Sequence, residues 1–86
     1  MSMNARHKKT LTLIFEKPTR ADITWQGAAS LLKAIGALMK EGRGSRVRFK
    51  YQGCSLHIHA PHPERVVSKS TVESIRDFLT NIGVKP

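Results

Sequence analysis

The feature that most constrains the fold is a strict alternation of apolar and polar residues from position 46 to position 59. The chain reads RVRFKY over 46–51 and CSLHIH over 54–59, with Gln52 and Gly53 between the two runs. A two-residue period places alternate side chains on opposite faces of a β-strand, and a two-residue loop ending in glycine is typical of a tight hairpin. The sequence therefore predicts two antiparallel strands, each with one buried and one exposed face.

The length of the hairpin loop predicts which residues oppose each other. If Gln52 and Gly53 form the whole loop, Tyr51 pairs with Cys54 and the remaining pairs follow. Two apolar pairs then share the buried face, namely Phe49 with Leu56 and Val47 with Ile58. Two polar pairs share the exposed face, namely Arg48 with His57 and Arg46 with His59. A compact basic patch backed by a small apolar core is therefore expected.

Net charge narrows the classes of partner. Fifteen Lys and Arg residues stand against six Asp and Glu residues in a chain of 86, for a formal charge of +9. A domain this small needs less charge than that for solubility, so a polyanionic partner is indicated. RNA, DNA, an acidic membrane surface and an acidic protein would all satisfy the charge, which by itself does not distinguish them.

Other compositional features exclude several classes of protein. The single cysteine, Cys54, allows no intramolecular disulfide and supplies too few thiolates for a structural zinc site. No run approaches the roughly 18 apolar residues of a membrane span, and the first ten residues lack the apolar stretch of a secretory signal. We therefore expect a single cytoplasmic domain over residues 1–86, with no cofactor, no metal and no contact with a membrane.

Helical patterns precede the hairpin. Apolar spacing predicts a short helix over residues 4–15, which Pro18 brings to an end. A second helix is predicted between Thr24, a suitable N-cap, and Gly36, a suitable C-terminal glycine. Its inward stripe includes Trp25, which we assign to the core rather than to base stacking.

A third strand and a final helix complete the predicted fold. The short apolar run over 37–41 predicts the strand. The final helix is expected to begin near Ser70, capped by Ser70 or Ser68, with Glu73 completing a capping box and Gly83 ending the helix. The order is α-α-β-β-β-α, an α+β fold with helices on one face of a three-stranded antiparallel sheet.

Several segments together resemble the HicA family, the small toxins of bacterial type II HicA–HicB toxin–antitoxin pairs. They are GSRVRF, the hairpin that follows it, HAPHPE and SKSTVESIRDFLTNIGV, in that order. The resemblance covers residues 22–86 as a HicA-like core, and residues 1–20 are similar to the N-terminal helical extension of one subgroup. It implies a double-stranded-RNA-binding-like fold, endoribonuclease activity on mRNA, and inhibition by a HicB-like antitoxin.

One position departs from the commoner pattern of that family, in which a Gly-Ser pair is followed by the histidine taken as catalytic. Here Gly44 and Ser45 are followed by Arg46. Arginine cannot act as a base at ordinary pH, although its planar fork suits a phosphate. The chain is therefore similar to a divergent subgroup. A non-catalytic RNA-binding module, or a basic protein-interaction domain on the same fold, is the alternative.

The predicted site follows from what metal-free RNA cleavage requires: a base for the 2′-hydroxyl, a proton donor for the leaving oxygen, and cations on the phosphate. Arg46 would hold the scissile phosphate while the opposed His59 transfers the proton, assisted by His57. Further RNA contacts are predicted at Arg43, Arg48, Lys50, His62 and Lys69. The ordinary interpretation is a solvated strand face for the cations and histidines of the strands, a turn residue held by prolines for His62, and a capped helix start for Lys69. No set of metal ligands and no small-molecule site is expected among them.

Overall fold

The computed structural model describes residues 3–86 and contains the predicted order of elements. The helices are α1 (Ala5–Ile14), α2 (Trp25–Ala34) and α3 (Lys69–Asn81), and the strands are β1 (Leu38–Glu41), β2 (Arg46–Tyr51) and β3 (Cys54–His59). The strands form one antiparallel sheet in the order β1-β2-β3. No helix within residues 3–86 has both the length and the apolar character needed to cross a bilayer. The prediction of a small α+β domain with a three-stranded antiparallel sheet is confirmed.

The hairpin of β2 and β3 has the predicted register. Tyr51 pairs with Cys54, and the later pairs follow in step to Arg46 with His59. Gln52 and Gly53 both have positive φ, 48° and 81°, as in the two-residue turn whose twist matches that of the flanking strands. Because this turn contains no additional residue, it fixes the alignment of every pair farther along the hairpin.

The apolar side of the sheet packs beneath the helices. Val47, Phe49, Leu56 and Ile58 are all buried, and the ring of Trp25 on α2 meets Phe49 edge-on with centroids 6.2 Å apart. Trp25 is half-buried and packs against the core, as predicted. The helices complete the core with Leu11, Ile14, Ala28, Leu31, Leu32, Val72, Ile75, Phe78 and Leu79. The residues that alternate with the buried ones along β2 and β3 are exposed, so the opposite side of the sheet is open to solvent.

Of the two caps predicted for α3, the structure has Ser68, whereas the predicted capping box of Ser70 and Glu73 does not form. Ser68 is the N-cap, because its backbone is extended and its hydroxyl accepts a hydrogen bond from the Thr71 amide at 3.2 Å. The carboxylate of Glu73 instead accepts a hydrogen bond from the Thr19 hydroxyl at 3.0 Å. Because Ser68 rather than Ser70 caps the first turn, α3 begins at Lys69, before the position at which a Ser70 cap would start it.

The N-terminal segment is packed into the same core. Leu11 and Ile14 are buried, and α1 contacts both α2 and α3. The guanidinium of Arg76 on α3 donates hydrogen bonds to the carbonyl oxygens of Ile14 at 2.9 Å and Glu16 at 3.2 Å. These bonds satisfy carbonyl groups at the end of α1, where a helix leaves its last acceptors without an internal partner. The first helix is thus held by polar contacts as well as by apolar packing.

Candidate nucleic-acid interface

The open face of the sheet is the side that the helices leave uncovered. It presents alternate residues of the three strands: Leu38, Lys40, Arg46, Arg48, Lys50, Ser55, His57 and His59. All of these residues are exposed. Glu41, the one carboxylate on the described strands, pairs with Val47 and so belongs to the opposite side. The open face therefore concentrates four cations and two histidines without an acidic residue.

The two predicted arginine–histidine pairs are present on this face. Arg46 is the register partner of His59, and Arg48 is the register partner of His57. Opposed residues of antiparallel strands have Cα atoms about 4.5–5.5 Å apart, and alternate residues along one strand lie about 6.5–7 Å apart. The four side chains are therefore close enough to contact one phosphate group and its neighbours in the same strand of a nucleic acid.

The cations of the open face have no carboxylate partner. Both ion pairs formed within residues 3–86 belong to Arg20, which contacts Glu16 at 2.8 Å and Asp22 at 2.6 Å. Hydrogen bonds from Arg20 lower the pKa of the Asp22 carboxyl below its usual value. Since the open face takes part in neither pair, its positive charge is available to a ligand.

One groove lies at the end of the open face where β1, β2 and β3 approach the loop between β1 and β2. This first groove has a volume of about 410 Å³, and the polar residues that line it are Lys40, Glu41, Arg46, Arg48, His57 and His59. Glu41 is the one acidic residue among them. Cations and imidazoles in such an arrangement can bind a phosphate, stabilise charge that develops on it, and transfer protons.

A second groove of about 750 Å³ lies between β3, residues 60–68 and the start of α3. It contains His62 and Lys69, two of the predicted RNA contacts, and it is lined as well by His57 and His59. Lys69, predicted to precede the last helix, is its first residue. Although three histidines line this groove, no group of three or more His, Cys, Asp or Glu is placed to hold a metal ion in the described part of the chain.

The structure brings together most of the predicted site residues. Arg46, Arg48, His57 and His59 all line the first groove. Lys50 shares the open face with them but lies toward the hairpin turn, outside the groove. Arg43 also lies outside the first groove: it is exposed in the connection between β1 and β2 and lines neither groove.

Lys40 is a residue of the first groove that the sequence did not identify. It opposes Arg48 across β1 and β2 and is exposed. The four residues of β1 are too few to show a clear alternation, so the pattern does not say on which side Lys40 lies. The pairing of β1 with β2 supplies that information, because Lys40 must then share the side of its partner.

Known proteins do not indicate the function of this site. No family model, curated protein or solved structure matches the chain. The resemblance to HicA toxins stays a hypothesis. The function of the site has to be inferred from its side chains and their placement.

Proposed function

We propose that this protein is an RNA-binding endoribonuclease, the mRNA-cleaving toxin of a HicA–HicB type of toxin–antitoxin pair. The observation that carries the proposal is the register of the hairpin, which sets Arg46 directly across from His59. A phosphate-binding cation and a group able to transfer protons then share one exposed site, as RNA cleavage by 2′-hydroxyl attack requires. A double-stranded-RNA-binding-like fold belongs to the same proposal and is supported by the order of the elements.

RNA is the polyanion that suits the open face best. Same-side residues along a strand repeat about every 6.5–7 Å, so Arg46, Arg48 and Lys50 form a row of cations along which successive phosphates can bind. Contacts of this kind position a nucleic acid without reading its sequence. Of the two nucleic acids, only RNA carries the 2′-hydroxyl that a histidine can deprotonate to begin cleavage.

In the proposed reaction, His59 removes the proton from the 2′-hydroxyl of a bound nucleotide. The 2′-oxygen attacks the adjacent phosphorus, the bond to the 5′-oxygen breaks, and His57 donates a proton to that leaving oxygen. The products are a 2′,3′-cyclic phosphate and a free 5′-hydroxyl, and the step needs no co-reactant. Arg46 and Arg48 stabilise the negative charge that builds on the phosphate.

The proposed protein partner is a HicB-like antitoxin with an acidic surface. The open face is the complementary surface, because it carries four cations with no carboxylate among them. Complementary charge speeds association and selects against wrong partners. An antitoxin bound there would inhibit the enzyme because it would occupy the same cations that the RNA needs.

The second candidate function is RNA binding without cleavage, on the same surface. It is favoured by Arg46, which stands where the commoner pattern of HicA toxins has histidine and which cannot act as a base. This candidate predicts RNA binding that weakens with salt, and no cleavage in any buffer.

Cleavage of a defined single-stranded RNA by the purified protein, with a metal chelator present, tests the proposal. We expect products with 2′,3′-cyclic phosphate ends, and we expect His59→Ala to slow cleavage roughly 100-fold or more while RNA affinity changes little. An otherwise identical RNA with 2′-deoxyribose at the cleavage position should not be cut there. Lys85→Ala is the matched control, since Lys85 is exposed and lies outside both grooves.

Three other outcomes are informative. Full activity of His59→Ala would remove His59 from the reaction. An inert parent that binds RNA and becomes active on Arg46→His would establish the non-catalytic candidate. A parent that neither cleaves nor binds RNA at physiological salt would exclude both, and would leave an interaction with an acidic protein as the use of the open face.

A further inference from the structure

The two grooves meet at β3. The first lies toward the open face, the second lies between β3 and α3, and both are lined by His57, Ile58 and His59. β3 is an edge strand of the sheet, and no strand within residues 3–86 pairs with its outer edge. His57 and His59 therefore lie between the two grooves and line both of them.

The second groove continues the polar character of the first. Lys69 and His62 add a cation and a third imidazole to His57 and His59, and Ser70 and Ser74 line the groove from α3. Its one carboxylate is Glu64. The N-cap of α3 is already occupied, because the Ser68 hydroxyl accepts the Thr71 amide. A ligand in the second groove can be held by the side chains that line it.

We propose that the second groove is a subsite for the nucleotides on one side of the cleaved phosphate. A single RNA strand would run along the open face, pass over the edge of β3 beside His59, and enter the groove next to α3. Lys69 and His62 would bind the phosphates there. This inference rests on the proposed function, and it adds the path of the substrate and the strandedness of the RNA that can follow it.

The path requires single-stranded RNA. An RNA strand that passes from the open face over the edge of β3 into the second groove must bend within a few nucleotides. A nucleic-acid double helix cannot bend so sharply, because it is stiff over roughly 50 nm. The volume of the second groove, about 750 Å³, is that of a small-molecule site and admits one or two nucleotides rather than a duplex. A fold that resembles double-stranded-RNA-binding domains would thus serve a single-stranded substrate.

The subsite is expected to be indifferent to base sequence. Proteins that read or stack single-stranded bases usually place aromatic rings beneath them. Phe49 is buried in the core and Trp25 packs against it, and no Trp, Tyr or Phe side chain lines either groove as the structure describes them. Contacts to phosphate and sugar would therefore supply the affinity.

Binding measured by fluorescence anisotropy on single-stranded RNAs of 4 and 12 nucleotides, with 2′-O-methyl groups to prevent cleavage, tests the subsite. The double variant His62→Ala, Lys69→Ala should bind the 12-mer roughly fivefold to tenfold more weakly than the parent, as expected for the loss of charge-assisted phosphate contacts. It should bind the 4-mer as the parent does, because the cations Arg46, Arg48 and Lys50 of the open face can hold the three phosphates of a 4-mer without the second groove. A 12-base-pair duplex should bind the parent more weakly than the single-stranded 12-mer.

Lys33→Ala, Lys85→Ala is the matched control, because both residues are exposed and lie outside the grooves. Thermal melting of each variant shows that the fold is retained. Equal affinity of parent and groove variant for the 12-mer, or tighter binding of the duplex, would overturn the subsite and leave RNA binding on the open face intact. If the parent binds none of the RNAs at physiological salt, the proposed function itself fails.

Discussion

Arginine and histidine stand side by side on the open face, and they bring different chemistry to a phosphate. Arginine keeps its charge at every ordinary pH and offers paired N–H donors, whereas histidine can take up and release a proton. Arg46 is therefore suited to holding the phosphate and His59 to the proton transfer. Under the proposed function, substitution of Arg46 should weaken phosphate binding, and substitution of His59 should slow the proton transfer.

Arg20 shows how the same cation behaves among acidic neighbours. It donates hydrogen bonds to Asp22 at 2.7 and 2.6 Å, and these bonds hold the pKa of Asp22 below its ordinary value of 3.8. We expect Arg20→Gln to raise that pKa toward 3.8. Because the folded-state pKa is lowered, the stabilising contribution of Asp22 is complete above pH 3.8 and is lost as pH falls through the folded-state value.

NMR titration of the Asp22 carboxyl in the parent and in Arg20→Gln measures this shift. Glu16→Gln is the comparison, since it removes the other acidic neighbour of Arg20 but leaves the hydrogen bonds to Asp22. The same pKa in parent and Arg20→Gln would show that the lowering has another cause.

Among the elements, the β2–β3 hairpin is the part of the fold that local sequence determines most fully. The alternation and the Gln52-Gly53 turn together specify the register, so the pairing of Arg46 with His59 can be derived without tertiary information. The second groove cannot be derived in this way. It forms only when α3 packs against β3, and residues 60–68 separate those two elements in the chain.

The start of α3 shows where a local pattern misleads. Ser70 and Glu73 have the spacing of a capping box, but Glu73 has a partner in Thr19, which is 54 positions away. A contact between such distant residues leaves no trace in the local sequence. With Glu73 engaged elsewhere, Ser68 caps the helix alone.

A stability measurement distinguishes the two serines. We expect Ser68→Ala to lower the free energy of unfolding by about 1 kcal/mol, because the Thr71 amide loses its acceptor. Ser70→Ala is the matched control and should change it by less than about 0.5 kcal/mol. Urea denaturation of the three proteins gives both differences. A larger loss for Ser70→Ala than for Ser68→Ala would assign the cap to Ser70.

Over the whole molecule, charge is the dominant feature. The chain has a formal charge of +9, and the fold places four of its cations on one open face where neither ion pair of the described residues neutralises them. A surface of this kind attracts a polyanion at long range, and its affinity falls as salt rises.

The salt dependence of RNA binding measures how many phosphates the cations of the protein neutralise. For single-stranded RNA, each neutralised phosphate contributes about 0.7 to the slope of log K against log salt. The double variant Lys40→Gln, Arg48→Gln should therefore reduce the magnitude of that slope by about 1.4. Anisotropy titrations from about 50 to 300 mM salt measure it. Lys33→Gln, Lys85→Gln removes as much charge outside the grooves and should leave the slope nearly unchanged; equal slopes for both double variants would contradict the role of the open face.

Within residues 3–86 the sheet has three strands, and β1 and β3 lie at its edges. Strands at an edge tend to pair with strands of other molecules, and positively charged side chains are a common protection against such pairing. Lys40 is a cation on the edge strand β1, and the arginines of the central strand β2 lie beside both edges on the same face, so every copy of the protein presents the same repulsive surface. The cations to which we assign RNA binding therefore also oppose contact between copies, and a lineage that lost them would lose both properties.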